Sequence, residues 1–249
     1  MNKELIKKRF SKKLDSYNKN AIVQKRMAER MISMIDFENI NSFSDASVLE
    51  LGCGTGFLTA LVANRIQFKN YVAIDIVPEC EAYIKNINAR ITFVPSDIES
   101  YMNNSEEKYD LIISNAVFQW LENLPDILNN LAKRLKPNGQ FVFTTFGTRN
   151  FKEIKTVLGK TLHYLPKQEL AEMLVHFDTV IEEDVKIITF DSPKDILRHI
   201  QSTGVNALSK EVWTKGDLKI FEKKYNDVCK NNPILTYNPI YVVLKQKII

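Results

Sequence analysis

The chain has 249 residues, 45% apolar and 26% charged, a length that buries a substantial core and suits one α/β unit with an appendage. Its net charge of +4 is too small to imply nucleic acid, and its three cysteines (Cys53, Cys80, Cys229) lack CxxC spacing, which speaks for reduced thiols and against a zinc site. The basic start, Met1 to Lys8, leads into no apolar signal core, and no apolar run approaches the roughly 20 residues of a membrane span, so a cytoplasmic chain without membrane contact is expected.

From Lys3 to about Ile35 the pattern is that of an amphipathic helix, with Leu5, Phe10, Leu14, Tyr17, Ala21, Met27, Ala28, Met31 and Ile35 at helical spacings among Lys, Arg and Asn. Val48-Leu49-Glu50-Leu51 then reads as a buried strand. It runs into Gly52-Cys53-Gly54-Thr55-Gly56 and a helix from near Leu58 to about Ile66. Glycines there let the backbone turn left-handed, or let a ligand lie directly on the main chain. The free N–H groups at the helix start suit a nucleotide-type cofactor. The spacing departs from the dinucleotide fingerprint Gly-x-Gly-x-x-Gly, because Gly56 comes one residue early. Glu50-x-Gly52-x-Gly54-x-Gly56 instead resembles motif I of the class I S-adenosylmethionine-dependent methyltransferases.

Tyr71 to Asp75 is expected as a second buried strand, ending in an acid about 20 residues beyond the glycine turn. A carboxylate there can take both ribose hydroxyls of an adenosine, with Ile76 beside it; the alternative is a cap for the segment Pro78-Glu79-Cys80. Ile91 to Val94 is a third strand, followed by Ser96-Asp97-Ile98. Membership of that superfamily implies that Asp97 meets the adenine amino group and that Ile98 lies against the ring; the alternative is an N-cap aspartate. Tyr109 to Asn115 is apolar enough for a central strand covered on both faces. Its end, Asn115-Ala116-Val117-Phe118-Gln119-Trp120, falls where ligands bind in open α/β sheets. An amphipathic helix from Leu124 to Leu135, a turn at Pro137-Asn138-Gly139 and a fifth strand from Gln140 to Phe146 follow. Next come helices at Phe151 to Leu158 and Lys167 to His176, a sixth strand from Asp184 to Phe190, and a closing strand from Tyr237 to Leu244. The alternation calls for a doubly wound sheet. The expected fold is the Rossmann-like α/β fold of the class I methyltransferases. Its sheet has seven strands, mostly parallel, and ends with an antiparallel strand. The whole chain, 1–249, reads as one such domain, with residues 1–35 as a helical cover and the helical stretch 192–233 as a lid insertion.

Three stretches narrow the family. Phe10-x-x-x-x-Asp15-Ser16-Tyr17-x-x-x-Ala21-x-x-Gln24 resembles the start of the malonyl-(acyl carrier protein) O-methyltransferases of the biotin pathway. Ser114-Asn115-Ala116-Val117-Phe118-Gln119-Trp120-Leu121 is similar to that family's Ser-Asn-x-x-x-Gln-Trp segment. Phe143-Thr144-Thr145-Phe146-Gly147 leading to Glu153, then Leu197-Arg198-His199-Ile200-x-x-x-Gly204, resembles its post-strand and lid segments. The triplet Thr148-Arg149-Asn150 matches no family pattern. The resemblance implies S-adenosylmethionine as methyl donor, with S-adenosylhomocysteine as product and no metal. It implies cofactor contacts from Tyr17, Gln24, Glu50, Gly52, Gly54, Gly56, Asp75, Ile76, Asp97, Ile98, Asn115, Ala116 and Gln119.

The implied reaction methylates the free carboxylate of a malonyl thioester. A carboxylate is ionised at pH 7 and needs no general base, so catalysis is alignment in a site emptied of water. A cation must hold the carboxylate; Arg198 and Arg149 are the candidates. Tyr17, Gln119, Trp120, His199 and Tyr237 form the polar and aromatic group expected around the pocket. Alternatives stand beside these roles: solvated arginines, a packed His199, and an N-terminal helix that leaves Tyr17 and Gln24 exposed. Lys3, Lys7, Lys8, Arg9, Lys12, Lys13, Lys25, Arg26 and Arg30 crowd the N-terminal helix. They would steer an acidic acyl carrier protein to a monomeric enzyme, or simply form a solvated face. A nucleic-acid methyltransferase is disfavoured, because Asn115-Ala116-Val117-Phe118 stands where an Asn-Pro-Pro-Tyr-like sequence would be. The serious enzymatic rival is a small-molecule O- or C-methyltransferase acting on a quinone precursor or a free acid. A non-catalytic module would not need the glycines and acids that are present.

Overall fold

The computed structural model describes residues 3–41, 45–203 and 213–245. The chain opens with four helices, α1 (Lys3–Ser11), α2 (Leu14–Asn20), α3 (Ile22–Ile32) and α4 (Phe37–Asn41). The single amphipathic helix expected from Lys3 to Ile35 is therefore broken twice. At the second break Asn20 Nδ2 donates to the Ser16 carbonyl at 2.8 Å, and Ala21 leaves helical geometry at ψ 47°. Asn20 favours this break, since an asparagine side chain competes with the helical backbone for its hydrogen bonds.

The α/β part follows as β1 (Ala46–Leu51), α5 (Phe57–Ala63), β2 (Phe68–Asp75), α6 (Glu81–Ile87), β3 (Thr92–Pro95), α7 (Ile98–Asn104), β4 (Tyr109–Asn115), α8 (Leu124–Lys133) and β5 (Leu135–Phe146). It continues through α9 (Lys152–Leu158), α10 (Lys167–Met173), β6 (Asp178–Glu183), β7 (Lys186–Thr189), α11 (Pro193–Ser202), α12 (Lys215–Cys229), β8 (Ile234–Tyr237) and β9 (Pro239–Lys245). Seven strands form one sheet in the order β3-β2-β1-β4-β5-β9-β6. The first five are parallel, and β9 is antiparallel to both β5 and β6. This is the fold of the class I methyltransferases, as expected.

Alternation along the strands divides the core between two faces. Leu49, Val72, Ile112 and Phe141 join the α8 residues Ile127, Leu128 and Leu131 on one side. Val48, Tyr71, Ala73, Leu111 and Val142 meet Ala28 and Met31 of α3 and Leu58 and Val62 of α5 on the other. A third cluster ties α3 to the C-terminal helices, joining Val23 and Met27 to Ile196, Ile200, Phe221, Tyr225 and Tyr237.

The sixth strand is not the one expected. Asp178–Glu183 pairs with β9 in the main sheet, whereas Lys186–Thr189 pairs with β8 in a separate two-stranded ribbon. The closing segment is split likewise, with Tyr237 ending β8 and Pro239 opening β9. The chain turns at Asp184, whose carboxylate accepts from its neighbour's backbone N–H (Val185, 2.7 Å) and pairs with Arg30 and Lys186. The expected turn at Pro137-Asn138-Gly139 lies within β5 as an irregularity, with Asn138 at φ 63°. The stretch 192–233 contains α11 and α12; Gly204 of the lid segment lies outside the described residues.

Candidate active site

The strand ends that face one edge of the sheet enclose a cleft. Its floor is the glycine turn after β1. Gly52, Gly54 and Gly56 all have positive φ, at 69°, 51° and 78°. A Cβ on Gly52 would stand 2.4 Å from a Val117 methyl, and Gly56 caps α5 in the left-handed conformation, so glycine is required at both. Gly54 is open toward the cleft, where the Phe10 ring lies 3.5 Å from the position of its missing Cβ.

Asp75 lies beneath the turn. Its carboxylate accepts from the Gly54 N–H at 2.8 Å and the Val77 N–H at 2.9 Å, which fixes the loop to the end of β2. Burial pushes its pKa up to about 6, against the lowering effect of those N–H groups. Glu50 is also buried in the lining, and burial raises it to about 7 although the Tyr71 hydroxyl donates to it at 2.6 Å. Asp97 caps α7 through the Ser100 N–H (3.2 Å) and pairs with Lys3 Nζ (3.0 Å). Burial works to raise it, but the Ser100 hydroxyl and the Lys3 ammonium outweigh burial and hold it below its usual value.

The β4 end forms the other side. Ala116 is strained at φ 57°, and its N–H donates to Thr144 Oγ1 at 2.9 Å. Asn115 is fixed between the Gln24 carbonyl (3.0 Å) and the Thr144 hydroxyl (2.7 Å). Gln119 donates through Nε2 to the Ala116 carbonyl at 2.5 Å. The side-chain oxygens of Gln24 and Gln119 are buried without a hydrogen-bond partner. Two unpaired acceptors beside a glycine cradle are what a ligand rich in N–H and O–H donors would satisfy. An adenosyl amino acid, with its ribose hydroxyls and ammonium, is such a ligand, so the residues fit S-adenosylmethionine.

Of the expected site residues, Tyr17, Gln24, Glu50, Gly52, Gly54, Asp75, Ile76, Asp97, Ile98, Asn115, Ala116, Gln119 and Trp120 line this cleft together. Gly56 shapes the turn from outside the lining. Tyr17 has its phenol deep in the cleft, where burial and the nearby Asp75 carboxylate raise its pKa well above the ordinary value. Four residues stand elsewhere. Tyr237 is buried in the third cluster and hydrogen-bonds His199 Nε2 at 2.7 Å; burial lowers the pKa of His199. Arg198 pairs with Asp195 at 2.8 Å and Arg149 with Glu183 at 3.1 Å, with each arginine side chain more than half exposed. Sequence reasoning gave no cofactor role to Lys3, Phe10, Asn18, Lys25 or Thr203, which also line the cleft. Phe10 stood within a quoted motif, and Lys25 directly follows Gln24; these were the available signals. Among the described residues no cluster of histidine, cysteine, aspartate and glutamate could hold a metal ion.

Comparison with known proteins agrees with this geometry. A family model described as a methyltransferase domain matches residues 23–210. A malonyl-[acyl-carrier protein] O-methyltransferase of Chlorobium luteolum is 36% identical, over 98% of this chain and 96% of its own. Its namesake from Calditerrivibrio nitroreducens is 34% identical, over 96% of each. Among solved structures, the YcgJ protein of Bacillus subtilis superposes with a TM-score of 0.63 at 12% identity, covering 88% of this chain and 99% of its own. The plantazolicin methyltransferase BpumL, solved with S-adenosylhomocysteine, superposes with a TM-score of 0.56 at 17% identity, covering 98% and 95%. These two show the shared fold. With its glycine cradle, its acids at the ends of β2 and β3, and relatives matched from end to end, this chain belongs to the malonyl-[acyl-carrier protein] O-methyltransferase family of S-adenosylmethionine-dependent methyltransferases.

Proposed function

We propose that the enzyme methylates the free carboxylate of a malonyl group carried as a thioester on acyl carrier protein, an early step toward biotin in the cytoplasm. The observation that carries this reading is the end-to-end match to relatives bearing that name, which includes the N-terminal helices as well as the methyltransferase core. The site's chemistry supports it. S-adenosylmethionine, when bound, supplies an electrophilic methyl group. Methylating a carboxylate forms an oxygen–carbon bond, breaks a sulfur–carbon bond and moves no proton. No base is therefore required, and among the described lining residues there is no histidine.

The chain's own part is binding, orientation and exclusion of water. Asp75 takes the ribose hydroxyls, Asp97 and Ile98 hold the adenine, and the glycine turn carries the main chain beneath the cofactor. The free oxygens of Gln24 and Gln119 and the Glu50 carboxylate receive its remaining donors. Phe10, Trp120 and Leu121 line the cleft with apolar surface. Residues 1–35 act as a cover and 192–233 as a lid of one domain. Arg198 lies on α11, and Thr203, directly after that helix, lines the cleft. It is the cation proposed for the malonyl carboxylate, exchanging Asp195 for it; Arg149 is the second candidate. His199 and Tyr237 brace that helix.

Methyl transfer from labelled S-adenosylmethionine to malonyl-acyl carrier protein tests the proposal, with acetyl-acyl carrier protein and free malonate as controls. Transfer to the malonyl carrier alone is expected. Binding of cofactor without transfer to any of the three would overturn the substrate and return it to a small acid or quinone precursor.

A further inference from the structure

Five charged side chains line the cleft: Lys3, Lys25, Glu50, Asp75 and Asp97. Four of them are engaged. Lys3 pairs with Asp97 and Glu99, Asp97 also takes Ser100, Asp75 takes two backbone N–H groups, and Glu50 takes the Tyr71 hydroxyl. Lys25 differs. Among the described residues its ammonium has no carboxylate partner and stands 5.1 Å from the centroid of the Phe57 ring, in the first turn of α5.

Sheet order places this cation. Asp97 follows β3, Asp75 ends β2, the glycine turn follows β1 and Asn115 ends β4, and these strands are successive neighbours. A ligand with its adenosine at Asp97 and Asp75 therefore has its other end over the glycine turn, toward β4. α3 lies at that end: Asn115 donates to the carbonyl of Gln24, the residue before Lys25, and Lys25 itself meets the start of α5. The far end of an adenosyl amino acid is a zwitterion. Its ammonium can be met by Glu50 and the free amide oxygens, but its carboxylate needs a cation or strong donors. Lys25 is the one charged group of the described lining still available to meet it.

We propose that Lys25 binds the α-carboxylate of the cofactor's amino-acid moiety, so that α3 closes the end of the cleft opposite Asp97. This rests on the cofactor reading above. It separates Lys25 from the basic face that would receive an acidic carrier, and leaves the malonyl carboxylate to another cation.

Calorimetric titration with two nucleosides tests the assignment. S-adenosylhomocysteine carries the carboxylate, whereas 5′-methylthioadenosine keeps the adenosine and thioether but lacks the amino acid. Lys25→Met should weaken S-adenosylhomocysteine binding at least tenfold and change 5′-methylthioadenosine binding less than twofold. Lys25→Arg should restore most of the loss. Equal losses for both nucleosides would mean general damage to the cleft and overturn the assignment. Unchanged S-adenosylhomocysteine affinity with a raised KM for a malonyl thioester would also overturn it, by giving this cation to the acyl substrate. Failure of the unaltered protein to bind either nucleoside would overturn the cofactor reading itself, and the role of Lys25 with it.

Discussion

Asp75 supports the glycine turn and is a buried anion at the same time, and these two properties set its pH behaviour. Its pKa rises from 3.8 to about 6 because burial outweighs the two N–H groups it accepts from. For folding, a raised carboxyl contributes stability that is fully present below about 3.8 and lost as pH rises through about 6. For the proposed contact with the cofactor's ribose the sign reverses, since ribose hydroxyls donate to the ionised form. Affinity for S-adenosylhomocysteine should therefore fall as pH drops through 7 and then 6, where Glu50 and Asp75 in turn take up protons. Calorimetry at pH 5.5 and 7.5 checks this; equal affinities would separate Asp75 from the ribose. Asp75→Ala should weaken binding by about 1–3 kcal/mol, the scale of a lost charge-assisted hydrogen bond, and should remove the part of the pH dependence near 6 while leaving that of Glu50. Arg198 makes a separate case. Its side chain is 64% exposed, so its pair with Asp195 holds it only weakly. Arg198→Ala should raise the KM for a malonyl thioester without altering S-adenosylhomocysteine affinity, and an unchanged KM would end its assignment.

At the scale of elements, α1 joins the cleft wall without burying any of its residues. Its contacts include Lys3 with Asp97 and Glu99, and Phe10 beside Gly54, edge-on to Tyr17 and against Leu14, Val77 and Cys80. A helix of nine residues is marginal on its own in water, so local opening of α1 is the expected route by which the cofactor enters. Saturating S-adenosylhomocysteine should slow amide exchange in α1 at least tenfold, and Phe10→Ala should reduce that protection. Exchange in α1 unaffected by the ligand would show that it is not part of the cofactor enclosure. The sequence made the β1-to-β4 wall legible because chemistry there is local: Gly52, Gly54 and Gly56 answer to backbone φ, and Asp75 and Asp97 sit where their strands end. It hid features that depend on partners distant in the chain. Lys3 meets Asp97 across 94 positions, a contact that no periodicity encodes. The stretch Val185-Lys186-Ile187-Ile188-Thr189, rich in β-branched residues, drew the sixth strand away from Asp178–Glu183. That edge strand, Asp178-Thr179-Val180-Ile181-Glu182-Glu183, carries only two apolar residues, in keeping with a sheet neighbour on one side only. The break at Ala21 had a visible signal in Asn20, but amphipathic spacing continues across it and masked the interruption.

For the whole molecule, the fold divides the basic residues between structure and surface. Arg30, counted by sequence with the basic face, is committed to Glu182, Asp184 and the Tyr241 ring. Lys3 is committed to Asp97 and Glu99, and Lys25 turns into the cleft. Lys8 and Lys12 remain exposed around the end of α1, beside the cleft wall that Phe10 forms. A net charge of +4 spread evenly would steer an acidic partner weakly, whereas charges gathered beside the cleft would act where the proposed carrier would dock. At about 0.1 M salt the Debye length is roughly 10 Å, so this attraction should weaken over the ordinary laboratory range. The KM for malonyl-acyl carrier protein should rise several-fold between about 0.05 and 0.3 M sodium chloride, with kcat unchanged. Lys8→Glu combined with Lys12→Glu should raise that KM about tenfold at low salt and remove most of its salt dependence. The same variant should keep its KM for malonyl-N-acetylcysteamine, a small thioester without a protein carrier, within twofold. If both thioesters suffered equally, these lysines would act on the cleft and not on docking. If neither were affected, the carrier would approach over a different surface, and the basic face of α1 would be a solvated one.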